Sequence, residues 1–254
     1  MKFNKSSNPM FSDKAIAKAK ALDAEVLREG GGGGGFLLQE KMTASGAVNK
    51  TVILTAIMFV TAVFSYMMPM QVFMPVGALG AGAVFMFTSF KPHLAGTTAP
   101  LFALLEGLFV GTVSAIYAYQ FDGIIFQALT ATIGVLLTML MVYKSGLIPV
   151  TKKFRMAVSM AVGAIMLVYL VSWVGHFVGF TVPYLHEGGM IGIGITVVII
   201  GVASLNLLLD FDNFEKGEQA EAPKYMEWYY GMGLLFTLVW LYVEFLRLIS
   251  KLQD

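Results

Sequence analysis

Three carboxylates sit where carboxylates are costly. Glu106 interrupts LFALLEGLFVG, Asp210 closes the apolar part of SLNLLLDFDNFE, and Glu244 interrupts WLYVEFLRLI. A charged side chain at the centre of a bilayer costs at least about 2.5 kcal/mol, so such residues face a bundle interior or a cavity and bind ions, relay protons or pair. Hard cations such as calcium take several oxygen ligands, many of them carboxylates. Two facing carboxylates can instead share one proton. Losing it leaves two like charges side by side, which makes the pair a pH-dependent latch.

Each acid has neighbours that bear on its role. Asn206 lies one helical turn before Asp210 on the same face, Asp212 stands beside it, and the loop that follows is acidic, with Glu215, Glu218, Glu221 and Glu227. The plainer reading of that stretch is a solvated, acidic helix end. Arg247 stands three positions after Glu244, the spacing of an intrahelical ion pair. Glu106 reads either as a neutral acid bonded to a neighbouring helix carbonyl or as a member of the same pathway.

Other chemistries find little support. The chain has no cysteine, which removes disulfides, thiolate catalysis and cysteine metal sites. No H-E-x-x-H, G-x-S-x-G or P-loop pattern occurs, and His93, His176 and His186 are too scattered for a local metal site. The expectation is a protein that is not an enzyme, with no bound metal or cofactor. A net charge of +1 without a basic stripe argues against nucleic acid as a partner.

The elements that must position the acids are long apolar runs. The chain is 57% hydrophobic and only 13% charged, too little charge to cover a water-facing surface. Seven runs, at 51–68, 72–90, 99–121, 123–143, 156–174, 190–209 and 229–249, each approach the ~20 residues that a helix needs to cross hydrocarbon. They neither alternate in polarity nor have the ~10-residue length of barrel strands. The sequence therefore predicts an all-α, polytopic membrane protein, with a seven-helix domain over residues 50–254 in contact with the lipid bilayer. Residues 1–49 form a polar segment, with a short amphipathic helix over 12–28 and a flexible glycine linker at 30–35. Gly175/Gly179 and Gly188/Gly192 have the small-xxx-small spacing of closely packed helices.

Charge sets the orientation. With the N-terminus inside, fifteen of the 17 Lys and Arg residues fall on the inner side, and the outer loops between helices hold none. That places residues 1–49 in the cytoplasm. Arg247 and Lys251, at the C-terminal end, are the remaining two.

At these residues the chain resembles the Bax inhibitor-like family, the transmembrane Bax inhibitor motif proteins, in a bacterial branch. LLLDFDNF fits the family's D-x-x-x-[IF] signature at the end of the sixth helix, with Asp210 on the signature aspartate. LYVEFLRLI resembles the last helix, with Glu244 in place of aspartate, and Glu106-Gly107 matches an acidic-glycine pair of the third. Lys91 occupies the place of a basic residue that ends the second helix, and MTASGAVNKT is similar to the stretch before the first. The resemblance covers roughly residues 42–250.

The resemblance implies a compact seven-helix fold around a central C-terminal helix, in a bacterial inner membrane. It implies a pH-sensitive leak of calcium or another cation, gated by a carboxylate pair, here Asp210 and Glu244. Asp212, Asn206, Lys91 and Arg247 would support that pair. The alternative is a non-conducting regulator that binds a membrane-protein partner, a protease or translocase, through its N-terminal segment. The two acids are 34 residues apart, and Glu244 lies about 22 Å along its helix from Tyr229. They meet only if the seventh helix begins near Lys224 or beyond, or if the sixth runs deeper than its hydropathy suggests.

Overall fold

The computed structural model describes residues 40–177 and 189–253, together with residues 21 and 179. The expected amphipathic helix (residue 21 apart), the glycine linker, Gly188 and His186 lie outside the described residues. Among the described residues seven helices are long and apolar enough to cross a membrane: α1 (Ala44–Met67), α2 (Phe73–Phe90), α3 (Ala95–Gln120), α4 (Ile124–Ser145), α5 (Lys152–Phe177), α6 (Met190–Gln219) and α7 (Met226–Gln253). A short 3-10 turn, Pro92–Leu94, leads into α3.

Local chemistry explains several of the ends. Thr43 caps α1 by accepting a hydrogen bond from Gly46 N–H at 2.9 Å. Gly123 and Gly146 bracket α4 with φ of 73° and 66°, the left-handed conformation that glycine adopts without a Cβ penalty. Within the helices, hydroxyls of Thr51, Thr132 and Ser204 bond the carbonyl four residues back, so these polar side chains need no water.

Helix α7 is the hub. It packs against α1, α3, α4 and α6, and 56% of its apolar window is buried, against 50% for α3 and 11% for α5. Large apolar side chains such as Phe59, Val60 and Phe126 are exposed on the outside, a lipid-facing surface. Close approach of α1 to α3 depends on Gly107 and Gly111. A Cβ at Gly111 would lie 2.1 Å from the Ala62 carbonyl oxygen, and one at Gly107 would lie 1.8 Å from Thr61 Oγ1. Ser65 adds hydrogen bonds across the same seam, at 2.7 Å to Leu108 O and 2.7 Å to Thr112 Oγ1. The small-residue contact thus lies on α3. At Gly179, which the sequence pattern had singled out, a Cβ would meet nothing within 4 Å.

The chain closes on itself at the end where α1 and α7 begin, the basic end. Lys41 forms an antiparallel bridge with Pro223, Met42 N–H donates to Ala222 O at 2.8 Å, and Lys224 N–H donates to Glu40 O at 3.0 Å. Met42 is buried, and a Cβ on Gly217 would strike its sulfur at 2.5 Å. Glu227, 1% exposed, accepts Thr43 N–H at 3.0 Å and so adds a carboxylate to the N-terminus of α1. Its carboxylate fills the space that a side chain at Gly46 would need. Met42, Thr43 and Gly46 of the MTASG stretch thereby each have a structural role.

Candidate functional site

Helix α6 is 30 residues long, about 45 Å, so it outruns a ~30 Å hydrocarbon core and carries its last ten residues, 210–219, toward the basic end. Asn206 and Asp210, one turn apart on α6, face Gly233 and Thr237, one turn apart on α7. Between α5, α6 and α7 a cavity of about 330 Å³ remains, lined also by Phe85 of α2. Gly233 helps to create it, because a Cβ there would meet nothing within 4 Å.

Asp210 sits in that cavity among neutral oxygen and nitrogen groups. Its Oδ2 accepts Thr237 Oγ1–H at 2.7 Å and Asn206 Nδ2–H at 3.4 Å, while Asn206 also donates to Thr237 Oγ1 at 3.0 Å. Ser159 and Asn213 add further polar groups to the lining. Among the described residues no Lys or Arg forms an ion pair with Asp210. The nearest candidate, Arg155 on α5, lines the same cavity but is bound elsewhere. It donates to Asn213 Oδ1 at 2.6 Å and forms a buried ion pair with Asp212, which also accepts Lys216 Nζ at 2.5 Å. Asp212 therefore pairs with two cations, and the Arg155 charge reaches Asp210 across the same cavity without a salt bridge to it.

Glu244 occupies a different site. It is 1% exposed, accepts Tyr169 Oη–H from α5 at 2.5 Å, and pairs with Arg247 Nη1 at 3.1 Å. Arg247 also donates to Tyr169 Oη at 2.8 Å, which closes a triangle. The partner of Asp210 on α7 is Thr237, seven residues before Glu244, or about 10 Å along the axis. Helix α7 does begin near Lys224, at Met226, and α6 stays helical to Gln219, yet the acids are not brought level. In this structure Asp210 and Glu244 do not touch as hydrogen-bonded or ion-paired partners.

Glu106 is buried on α3 at 6% exposure and has no hydrogen-bond or ion-pair partner among the described residues. Lys91 caps α2 at the surface, its Nζ 5.3 Å from the Phe87 ring centroid, and touches none of the acids. His93 is exposed. Among the described residues no three His, Cys, Asp or Glu side chains gather to hold a metal. One carboxylate with an amide and hydroxyls falls short of the six to eight oxygens that a held calcium takes.

Four residues of this arrangement escaped the sequence reading. Arg155 counted only as a loop charge, and Glu227 only as part of an acidic loop. Tyr169 was available as a lone polar tip inside an apolar run, and Thr237 as the residue one turn beyond Gly233.

Residues 8–254 match the family model described as Bax inhibitor 1 like, and the chain belongs to that family. The match reaches much further into the N-terminal segment than the motif resemblance, which started near residue 42. No curated protein and no solved structure matches the chain.

Proposed function

We propose that this Bax inhibitor-like membrane protein is a pH-sensitive cation leak, with calcium as the favoured ion, and not an enzyme. The observation that carries the reading is Asp210: a carboxylate held by hydroxyl and amide groups rather than by a salt bridge, in a cavity of about 330 Å³ that Arg155 also lines. A deprotonated Asp210 draws a cation into the cavity, and a protonated one does not, so flux rises with pH as Asp210 ionises. Glu244, about 10 Å further along α7, serves as a second acid in series rather than as a proton-sharing partner. Glu106 is a third buried carboxyl available to the same pathway. The distribution of Lys and Arg supports a topology with the basic end and the N-terminus in the cytoplasm of a bacterial inner membrane.

The test is calcium flux into proteoliposomes between about pH 5 and 8. Wild type is compared with Asp210→Asn, Glu244→Gln and Gly233→Leu, the last filling the cavity without removing a polar group. Loss of the pH-dependent leak in Asp210→Asn and Gly233→Leu supports the reading. A leak indifferent to both, or no protein-dependent leak, overturns it and returns the chain to the regulatory alternative.

A further inference from the structure

Helix α5 differs from the other six in how it is held. Only 11% of its apolar window is buried, the lowest share among the seven spans, and its backbone packs on α6. Its first half supplies Arg155, Ser159, Val162 and Met166 to the wall of the Asp210 cavity. Its second half stands off from α6 across an open aliphatic groove of about 430 Å³ that runs from Ala164 to Tyr169 on one side and from Gly194 to Ile199 on the other. Along this groove, open to the outside, the side chains of α5 and α6 do not interdigitate.

Polar side chains bridge what packing does not. Arg155 ties the start of α5 to Asp212 and Asn213 of α6, and Tyr169 ties its second half to Glu244 and Arg247 of α7. The two pins are fourteen residues apart, about 21 Å along the helix, one on each acid-bearing helix. At the start of α5 the connection from α4 contains Gly146, at φ 66°, and Pro149, so the helix is not a rigid continuation of its predecessor.

We propose that α5 is a movable wall of the Asp210 cavity, held shut by the Arg155 and Tyr169 pins, and that its outward displacement exposes Asp210. The inference rests on reading that cavity as the ion site, and it adds which helix moves and what restrains it. The energetics favour this helix over its neighbours. Moving α1 or α3 would separate backbones in glycine contact, whereas moving α5 breaks polar contacts and widens a groove that is already open.

The experiment exploits the absence of cysteine from the chain. Spin labels at Met160→Cys on α5 and Val60→Cys on α1, both lipid-facing, report the position of the wall. A reference pair at Val60→Cys and Phe126→Cys on α4 reports the scaffold. In lipid nanodiscs, Arg155→Gln combined with Tyr169→Phe should lengthen the α5 distance by several ångströms and leave the reference pair unchanged. Separately, Ser159→Cys and Leu209→Cys, on opposite walls of the cavity, are joined by cleavable bifunctional thiol reagents of graded length. Short reagents should abolish the calcium leak of the same double-cysteine protein, and reduction should restore it.

An unchanged α5 distance after removal of both pins overturns the proposal, as does a cross-linked protein that leaks like the uncross-linked one. If the wild-type protein shows no leak at all, the ion-site reading fails. The label distances then decide the moving wall by themselves, an increase upholding it and no increase overturning it.

Discussion

The two flanks of α7 are built in opposite ways. On one flank, α1 and α3 touch backbone to backbone at Gly107 and Gly111, with Ser65 stitched across the seam. On the other, α5 and α6 meet across a groove and a cavity, and polar side chains make up the difference. Three glycines on the second flank, Gly163, Gly194 and Gly201, have open space where a Cβ would stand. In lipid, helices associate through close packing of small residues and through interhelical hydrogen bonds rather than through hydrophobic burial. This protein uses the first device between α1 and α3 and the second around the Asp210 cavity.

The contrast can be broken or sharpened by substitution, from the largest effect to the smallest. Gly111→Leu should be the most damaging, costing about 3 kcal/mol or more, because the new side chain meets the Ala62 backbone rather than a flexible tip. Loss of monodisperse protein, or a collapsed thermal midpoint in detergent, is the readout. Arg155→Gln should cost about 2 kcal/mol in mixed-micelle unfolding, below the usual figure for a broken buried pair because Lys216 still faces Asp212. Tyr169→Phe should cost about 1 kcal/mol by the same assay, since Glu244 keeps Arg247. Gly194→Ala should change stability by less than about 0.5 kcal/mol or raise it, because the helix gains a better helix former and nothing stands in the way. If Gly194→Ala and Gly111→Leu proved equally harmful, the distinction between the flanks would fail.

Hydropathy located every span, because the composition of a helix inside hydrocarbon is dictated by the solvent around it. It could not locate the helix ends, where the chain leaves that solvent and stays helical for other reasons. The first span was expected at 51–68 and begins at Ala44, since Thr43 and Glu227 cap a polar first turn. The sixth was expected to stop at Leu209 and runs to Gln219, its charged last turns held by Arg155, Tyr143 and Met42.

The acids were equally visible one by one, because a carboxylate in an apolar run stands out against its surroundings. Which residues they face was not visible. Asp210 meets Thr237 rather than Glu244 because the relative slide of two helices is set by packing, and no local pattern encodes it. Arg155 was hidden for a related reason. A basic residue near a loop obeys the topology rule whether it points into water or, as here, folds inward onto Asp212.

The closure at the basic end bears on how the chain is made. The N-terminus of α1 is completed by Glu227, 184 residues later in the chain, and Met42 is covered by residues from the end of α6 and the start of α7. A nascent chain that has inserted six helices still lacks the carboxylate that finishes its first. The first of these seven spans is therefore among the last of them to reach its final surroundings, because α7 must be made before the bundle can lock.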